Sequence, residues 1–433
     1  MDNPRKLAHL SLIKADSVSS FSNIEVNTTI SRSTLSPLDA SLYTALYMGV
    51  IEKLLFLDYV IEQYSSKSLE KIDTETKNAT RLGLYQLIFM DKIPDYSAIN
   101  ESVELAPKRS KGFVNAILRS FLRNDKKIKY PSDKWQRISI EESIPCDMLK
   151  IFISSYGEDT AEKIAKTADT QRGISLRVNT LKSTEDEIKK ELDALNISYE
   201  VSPYASDIIY ANGAISEIKS LIDSGCVFVQ DASSRIATKI LDAKRGEKIL
   251  DACACPGGKS FSIAIDMQNS GSLLSCDLHK SKLSLIEKGA KRLGIDIIEV
   301  REQNGKEYVE ELDSYFDRVL CDVPCSGLGV ISKKPEIKYK EVSSINELPR
   351  VQYDILKNCS KYVKMGGVLV YSTCTINKKE NEEVLERFLS ENSGFEPCEF
   401  SFENIFSKNG AYTFLTHINQ TDGFFVAKMK RTS

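Results

Sequence analysis

The chain has 433 residues, of which 42% are hydrophobic and 27% are charged, and its formal net charge is −3. A chain of this length exceeds what one hydrophobic core usually serves, so two or three domains are expected. The small net charge excludes a wholly basic nucleic-acid binder, and no apolar run reaches the roughly 20 residues that a membrane span needs. Because the start also lacks the features of a signal peptide, we expect a cytoplasmic protein.

The first 130 residues are predicted to form an all-helical bundle. Apolar side chains recur at the three-four spacing of one helix face in two stretches, 82–89 and 114–122. Pro94 should separate these two helices.

Basic side chains are concentrated between residues 105 and 129, where Asp125 is the single acid after Leu105. Such a cluster could neutralise several phosphates of a nucleic acid. On charge alone, a solvated helix face is an equally good interpretation. The candidate RNA contacts here are Lys108, Arg109, Lys111 and Arg119.

A charged run that ends at Pro131 predicts a boundary, and residues 131–224 are predicted to form a small α+β module. Helical periodicity occurs at 158–168 and 184–195, with a short strand at 175–178. From 225 to 433 short β-rich runs alternate with helical stretches, which predicts an open, mostly parallel α/β sheet with a Rossmann-like arrangement. The predicted strands are 248–252, 272–276, 297–301, 318–322 and 367–372.

The first of these strands leads directly into a glycine-containing turn, Asp251-Ala252-Cys253-Ala254-Cys255-Pro256-Gly257-Gly258-Lys259. Paired glycines at a strand-to-helix turn let the backbone approach a ligand closely. The spacing fits neither a phosphate-binding P-loop nor a G-x-G-x-x-G fingerprint. Asp277 ends the second strand and could bind ribose hydroxyls, and Asn304 follows the third, where it could accept a hydrogen bond from adenine.

A nucleoside site without phosphate-binding residues points to S-adenosylmethionine. The predicted cofactor contacts are Cys253, Ala254, Cys255, Pro256, Gly257, Gly258, Lys259, Asp277, Asn304 and Asp322.

Two further strand ends carry cysteines, at Pro324-Cys325-Ser326 and Thr373-Cys374-Thr375. Carbon 5 of cytosine is a poor nucleophile, and a thiolate that adds to carbon 6 activates it. Cys374 is the predicted nucleophile, Asp322 the acid near N3, and Cys325 the residue that assists product release. The alternative, that these are buried core thiols, is favoured for Cys226, Cys276, Cys321, Cys359 and Cys398.

Neither a disulfide framework nor a metal site is expected. The ten cysteines are scattered through a chain without an export signal, which favours free thiols. Cys253 and Cys255 form a lone C-x-C without a second pair, and the chain has only three histidines.

With these motifs, nearly the whole chain resembles the RNA cytosine-C5 methyltransferases, in particular the bacterial 16S rRNA enzymes called RsmB, Sun or Fmu. In that family the segment 251–259 is the methyl-donor loop, and Pro324-Cys325 with Thr373-Cys374 form the two-cysteine signature. The segments 81–87 and 112–119 resemble a NusB-type RNA-binding domain, and Arg177-Val178-Asn179 resembles an element thought to contact RNA. Asn304 departs from the acidic residue usual at the adenine position, and Cys255 replaces a common alanine.

The resemblance implies methylation of carbon 5 of one cytosine in 16S rRNA, at position 967, in naked RNA or in a small-subunit precursor. The simplest expectation for the oligomeric state is a monomer. Two alternatives stay open. A non-catalytic RNA-binding assembly factor is favoured only by Asn304, and an amino-directed methyltransferase lacks its usual N/D-P-P-Y/F signature.

Overall fold

The computed structural model describes residues 2–17, 22–167 and 173–433. It comprises two compact units, each assembled from two stretches of chain. The helical unit contains Met1–Asp169 and Ile331–Glu341, and the α/β unit contains Thr170–Val330 and Val342–Ser433. The predicted domain limits at 130 and 224 remain a prediction.

The helical unit is a bundle around one apolar core. Its helices are α1 (Pro4–Ser17), α2 (Ser22–Arg32), α3 (Pro37–Glu52), α4 (Leu54–Tyr64), α5 (Thr74–Phe89), α6 (Asp95–Leu105), α7 (Lys111–Arg123), α8 (Lys134–Glu141), α9 (Cys146–Tyr156) and α10 (Glu158–Lys166). Short 3-10 turns cover Leu69–Lys71, Lys108–Ser110 and Pro335–Tyr339.

Local sequence explains where several of these helices begin. The side chains of Ser36, Asp73 and Asp133 accept a hydrogen bond from a backbone N–H in the first turn of α3, α5 and α8. The two stretches predicted to be helical lie within α5 and α7. Pro94 does separate them, but an unpredicted helix, α6, begins at the next residue and also lies between them.

The second stretch of the helical unit, 331–341, interrupts the sequence of the α/β unit. Lys338 is fully buried, and its Nζ donates hydrogen bonds to the backbone carbonyls of Glu142 (3.2 Å) and Glu52 (3.5 Å). The Tyr339 hydroxyl lies 3.0 Å from the Ser143 hydroxyl. These contacts make the stretch an integral part of the helical core.

The α/β unit begins with a small antiparallel sheet. Its elements are β1 (Ile174–Val178), α11 (Glu185–Ala194), β2 (Tyr199–Ser202), β3 (Ala205–Ala211), α12 (Lys219–Asp223) and β4 (Val227–Val229). The strand order is β2-β3-β1-β4. Helix α11 begins with a capping box between Thr184 and Glu187.

A second sheet forms the centre of this unit. The elements from here to the end of the chain are α13 (Ala232–Leu241), β5 (Lys248–Asp251), α14 (Gly258–Asp266), β6 (Ser272–Asp277), α15 (Lys280–Leu293), β7 (Ile298–Glu302), β8 (Phe316–Asp322), α16 (Val342–Asn346), α17 (Leu348–Ser360), β9 (Val363–Thr373), α18 (Glu382–Glu391), β10 (Phe395–Pro397), β11 (Ser401–Phe402), β12 (Ile405–Phe406), β13 (Ala411–Phe414), α19 (Thr416–Asn419) and β14 (Phe424–Arg431), with a 3-10 turn at Glu310–Leu312. Strands β11 and β12 pair with each other in a separate two-stranded sheet.

The order of this sheet is β10-β14-β9-β8-β5-β6-β7, with β13 paired to β14. Strands β5 to β9 are parallel, as predicted, whereas β14 runs antiparallel to β9. The chain proceeds outward from β5 in both directions, through β6 and β7 on one side and β8 and β9 on the other. The junction of β5 and β8 is therefore a topological switch point, where open α/β sheets bind ligands.

In the part of the chain that the structure describes, no helix is long and apolar enough to cross a bilayer.

Candidate active site

Four parallel strands end at one edge of the sheet and place polar side chains there. Strands β5, β6 and β8 end at Asp251, Asp277 and Asp322, and β9 ends at Thr373, immediately before Cys374. Each position is fixed by the register of the sheet, for example the pairing of Asp322 with Ser372. The predicted residues of the site are thus brought together from widely separated segments.

The donor loop turns sharply between β5 and α14. Gly257 has φ +113°, and a Cβ built on it would lie 2.5 Å from the Phe261 ring, so only glycine fits. The Gln230 side chain fixes the loop, donating to the Gly258 carbonyl (2.7 Å) and accepting from the Ser262 hydroxyl (2.6 Å).

Asp251 lies beneath this loop and is fully buried. Its Oδ2 accepts a hydrogen bond from the Ser260 hydroxyl at 2.7 Å. Burial raises the pKa of Asp251 to about 7, and the nearby Asp322 adds to the increase against the effect of the Ser260 hydrogen bond.

Asp277 stands at the wall of a cavity of about 430 Å³. Its carboxylate accepts hydrogen bonds from the backbone N–H groups of His279 (2.9 Å) and Cys255 (3.3 Å), which orient it toward the donor loop. Burial, together with Asp277, raises the pKa of Cys255 to about 12, so this thiol stays protonated at neutral pH.

Asn304 lines the same cavity, and its amide is oriented by its own loop. Its Nδ2 donates to Glu307 Oε1 (2.9 Å), and its Oδ1 accepts the Lys306 N–H (3.2 Å). The amide oxygen retains a second lone pair for a ligand. Cavity size, the carboxylate of Asp277 and this acceptor together fit an adenosine-containing ligand.

The two predicted catalytic cysteines face each other across the cavity wall. Their Sγ atoms are 3.0 Å apart, and both residues are partly exposed. The hydrogen bond with Cys374, together with burial, raises the pKa of Cys325 well above its usual range.

Asp322 lies beside this pair and is held from two sides. Lys259 Nζ is 2.7 Å from its Oδ2, and the Ser372 hydroxyl donates to its Oδ1 at 2.8 Å. Although burial acts to lower it, the pKa of Lys259 is raised, because Asp322 stabilises the ammonium form. Lys259 also donates to the Ser234 hydroxyl (3.1 Å). Its main contact is therefore a carboxylate of the site.

Comparison with known proteins agrees with this arrangement. The 16S rRNA methyltransferase RsmB/F family matches residues 238–430, the NusB family residues 2–123, and the ferredoxin-like domain of RsmF/B-like methyltransferases residues 144–216. The probable ribosomal RNA small subunit methyltransferase B of Bacillus subtilis is 37% identical over 99% of this chain and 98% of its own length.

The chain belongs to the ribosomal RNA small subunit methyltransferase B family.

Solved structures share the fold of this methyltransferase. The crystal structure of PH0851 covers 100% of this chain and 99% of that chain with a TM-score of 0.84 at 23% identity. NSun6 from Pyrococcus horikoshii, solved with SFG, covers 67% of this chain and 98% of that chain, with a TM-score of 0.60 at 22% identity. The predicted fold class is confirmed, as are the family and its methyl donor, S-adenosylmethionine.

Not every predicted cofactor contact of this methyltransferase reaches the cavity. Those on its wall are Cys253, Cys255, Asp277, Asn304 and Asp322, together with Cys325 and Cys374. Ala254 is buried, and Gly257 and Gly258 shape the turn. All ten cysteines are free thiols, but Cys226 and Cys398 are only half-buried rather than core residues. Over the described ranges, no group of three or more His, Cys, Asp or Glu side chains is placed to hold a metal ion.

The prediction that Arg177 contacts RNA needs correction, because its side chain is only 1% exposed. Its Nη1 lies 2.6 Å from Asp207, which also pairs with Arg235 (2.9 Å), and both arginines pair with Asp266. Burial and the neighbouring Arg235 lower the pKa of Arg177 to about 10. The guanidinium is thus part of a buried ion-pair cluster that joins β1 and β3 to α13 and α14.

The basic residues predicted to bind RNA lie on the helical unit. Lys108, Arg109 and Arg119 are exposed, and Lys111 is half-exposed. Arg109 is 3.8 Å from Asp73, and Lys111 pairs with Glu104 at 2.5 Å, so two of the four charges are partly balanced. Their contact with RNA stays a prediction.

Three residues that position the site were not singled out from the sequence. Gln230 anchors the donor loop. Ser372 and Glu380 bond to Asp322 and to the backbone of the Cys325 loop, respectively. Such contacts between distant segments are not visible in a single sequence.

Proposed function

We propose that this ribosomal RNA methyltransferase modifies carbon 5 of a cytosine in 16S rRNA through a covalent adduct with Cys374. The observation that carries the proposal is the pair of thiols at the cavity wall, 3.0 Å apart and beside Asp322. Methyl transfer to an exocyclic amine or a hydroxyl needs no thiol nucleophile, whereas activation of cytosine carbon 5 does.

In the first step, the Cys374 thiolate forms a bond to carbon 6, and the electron pair of the 5,6 double bond is pushed toward the N3 side of the ring. The proton of the Cys374 thiol passes to Asp322, which delivers it to N3 or shares it with N3 and so stabilises the negative charge that develops there. Lys259 and Ser372 hold the Asp322 carboxyl group in place from opposite sides. Carbon 5 then has the character of an enamine and is nucleophilic.

When bound, S-adenosylmethionine supplies an electrophilic methyl group. Asp277 and Asn304 are the residues that would hold its ribose and adenine, and the turn at Gly257 lets the backbone of the donor loop approach it.

After transfer, the proton on carbon 5 must leave so that the 5,6 double bond re-forms and the carbon 6–sulfur bond breaks. Cys325 assists this release. Its sulfur lies 3.0 Å from the Cys374 sulfur, so it can give its proton to the departing sulfur, and the Cys325 thiolate so formed takes the proton from carbon 5, directly or through water. The raised pKa of Cys325 keeps that proton available at neutral pH.

The test is nucleoside mass spectrometry on unmodified 16S rRNA incubated with the protein and isotopically labelled S-adenosylmethionine. We expect labelled 5-methylcytidine, and mapping is expected to place it at cytosine 967. Cys325→Ala should accumulate a denaturation-resistant protein–RNA adduct, whereas Cys374→Ala should form none. An adduct in Cys374→Ala alone would reverse the two assignments.

A second candidate, a non-catalytic RNA-binding assembly factor, is favoured by one observation, the amide of Asn304 in place of a carboxylate. Equilibrium binding of labelled S-adenosylmethionine separates the two. Saturable binding is expected for the enzyme, and its absence would favour the assembly factor.

A further inference from the structure

Between the two cysteine-bearing loops lies a fully buried acidic side chain, Glu380. It belongs to the segment that follows Cys374, just before α18. An unpaired buried carboxylate is costly, so its hydrogen bonds indicate what it stabilises.

One oxygen of Glu380 holds the loop that carries Cys325. Its Oε2 accepts the backbone N–H of Ser326 at 2.8 Å and the Gln352 side-chain amide at 2.9 Å. The same Gln352 nitrogen donates to the Pro324 carbonyl at 2.9 Å. The residues on both sides of Cys325 are thus tied, directly or through Gln352, to this carboxylate.

The other oxygen of Glu380 holds the loop that carries Cys374. Its Oε1 accepts from Asn377 Nδ2 at 3.0 Å, and the Asn377 N–H donates to the Thr375 hydroxyl at 3.2 Å. That hydroxyl lies 2.7 Å from the Ser326 hydroxyl and joins the two loops directly.

Donors surround both oxygens of the Glu380 side chain. The Ser326 N–H and the Gln352 amide donate to Oε2, and the Asn377 amide donates to Oε1, with the Thr375 hydroxyl 3.5 Å from the same oxygen. These donors suit a carboxylate, and its charge acts on the Cys325 thiol.

We propose that Glu380 is a positioning residue for the proposed cytosine reaction: one buried carboxylate sets the separation of the two thiols and disfavours ionisation of Cys325 while Cys374 acts. This inference rests on the proposed function. The inference extends that function, because it assigns the different roles of the two cysteines to a residue that touches neither substrate nor cofactor.

Other charged and titratable groups face the pair and are unchanged in the test. Asp322 and Tyr371 face Cys325, and Lys259 faces Cys374. Asp322 and Lys259 neutralise each other at 2.7 Å. The hydrogen-bond partners of Glu380 in the described part of the chain are neutral groups, whereas Asp322 pairs with a cation, so removing the charge of Glu380 should have the larger effect.

The experiment compares Glu380→Gln with Glu382→Gln in the full-length protein. Glu382 is a matched control, because it is a partly buried glutamate two residues away. Its carboxylate accepts a hydrogen bond from the Thr413 hydroxyl and, among the described residues, from neither cysteine loop. Alkylation of Cys325 and Cys374 by iodoacetamide is followed by peptide mass spectrometry across pH, without RNA or S-adenosylmethionine. Methylation kinetics are measured in parallel.

We expect Glu380→Gln to lower the pH midpoint for alkylation of Cys325 by about one unit, which is about a tenfold faster reaction at neutral pH. It should lower kcat at least about tenfold and leave KM for S-adenosylmethionine unchanged. Glu380→Asp keeps the negative charge but shortens the side chain by one methylene group. It should therefore keep the pH midpoint of Cys325 alkylation and still lower kcat. Glu382→Gln should match the wild type.

An unchanged midpoint in Glu380→Gln, or an equal shift in Glu382→Gln, would overturn the inference. If Glu380→Gln does not accumulate as folded protein, the kcat of Glu380→Asp is the deciding measurement. A wild-type kcat would overturn the inference, because it would show that the length of the side chain does not matter. Failure of the proposed function is distinguishable, because the alkylation profile requires neither RNA nor methyl transfer.

Discussion

Replacing Arg177 by methionine should destabilise the α/β unit rather than weaken RNA binding. Methionine keeps much of the side-chain volume but removes the charge that faces Asp207 at 2.6 Å and Asp266 at 3.6 Å. Breaking a buried ion pair on one side typically costs about 3–5 kcal/mol, since the partner is left buried and uncompensated.

Two features of the cluster set the expected value at the lower end of that range. Arg235 remains and pairs with both Asp207 and Asp266, so neither carboxylate becomes isolated. The Nε of Arg177 is itself buried without a hydrogen-bond partner, and that cost disappears with the substitution. We therefore expect a loss of about 3 kcal/mol in the free energy of opening, equivalent to roughly 100-fold faster exchange.

The assay is hydrogen exchange with mass spectrometry on peptides that cover β1 and β3, where the cluster is anchored. Lys108→Met on the helical unit serves as a control and should leave this exchange unchanged. Equilibrium RNA binding by Arg177→Met, measured on the folded fraction, should stay within about twofold of the wild type. If Arg177→Met kept the wild-type protection against hydrogen exchange and lost much of its RNA affinity, the structural role would be refuted. Arg177 would then be assigned to the RNA interface.

Three further predictions concern the site and the basic cluster. Because the pKa of Asp251 is raised to about 7, the folded protein keeps a proton that the unfolded chain releases, and Asp251 makes the free energy of unfolding fall as pH rises from about 4 to about 7. Asp251→Asn should remove this contribution, which is on the order of a few kcal/mol over that range. Urea unfolding that shows the same pH dependence in Asp251→Asn and in the wild type would contradict the prediction. Asn304→Asp should tighten S-adenosylmethionine binding about fivefold by calorimetry, because a carboxylate accepts more strongly than an amide; an unchanged Kd would place adenine elsewhere. Replacing Lys108, Arg109 and Lys111 together by Ala should reduce the slope of log affinity against log salt by about 2, and unchanged affinity would favour the solvated helix face.

The central sheet could be predicted closely because each strand end carries its own signal. All five predicted strands overlap observed ones, and the strand predicted at 318–322 ends at Asp322, as β8 does. Polar residues and glycines at the carboxyl ends of apolar runs mark both the strand boundary and the site. Parallel topology then brings those ends to one edge, so the grouping of Asp277, Asp322 and the two cysteines followed from local patterns.

What could not be predicted depends on contacts between distant segments. Arg177 lies in a motif that resembles an RNA contact, but its burial depends on Asp207 and Asp266, which no spacing connects to it. Glu380 sits in a charged, loop-like sequence, Lys378-Lys379-Glu380, that favours a solvated position. Its burial arises only when the loop of Cys325 and helix α17 close over it.

The excursion of residues 331–341 into the helical unit has a consequence for how the protein is made. Lys338 and Tyr339 complete a core whose other members lie before residue 170, yet the ribosome reaches them only after synthesising β5 to β8. Domains generally fold as they emerge, the N-terminal one first. Here the helical unit emerges first, but it cannot complete its core until more than a hundred and fifty further residues have been synthesised. The order in which the two units fold therefore depends on how their sequences alternate along the chain, and not simply on which unit begins first.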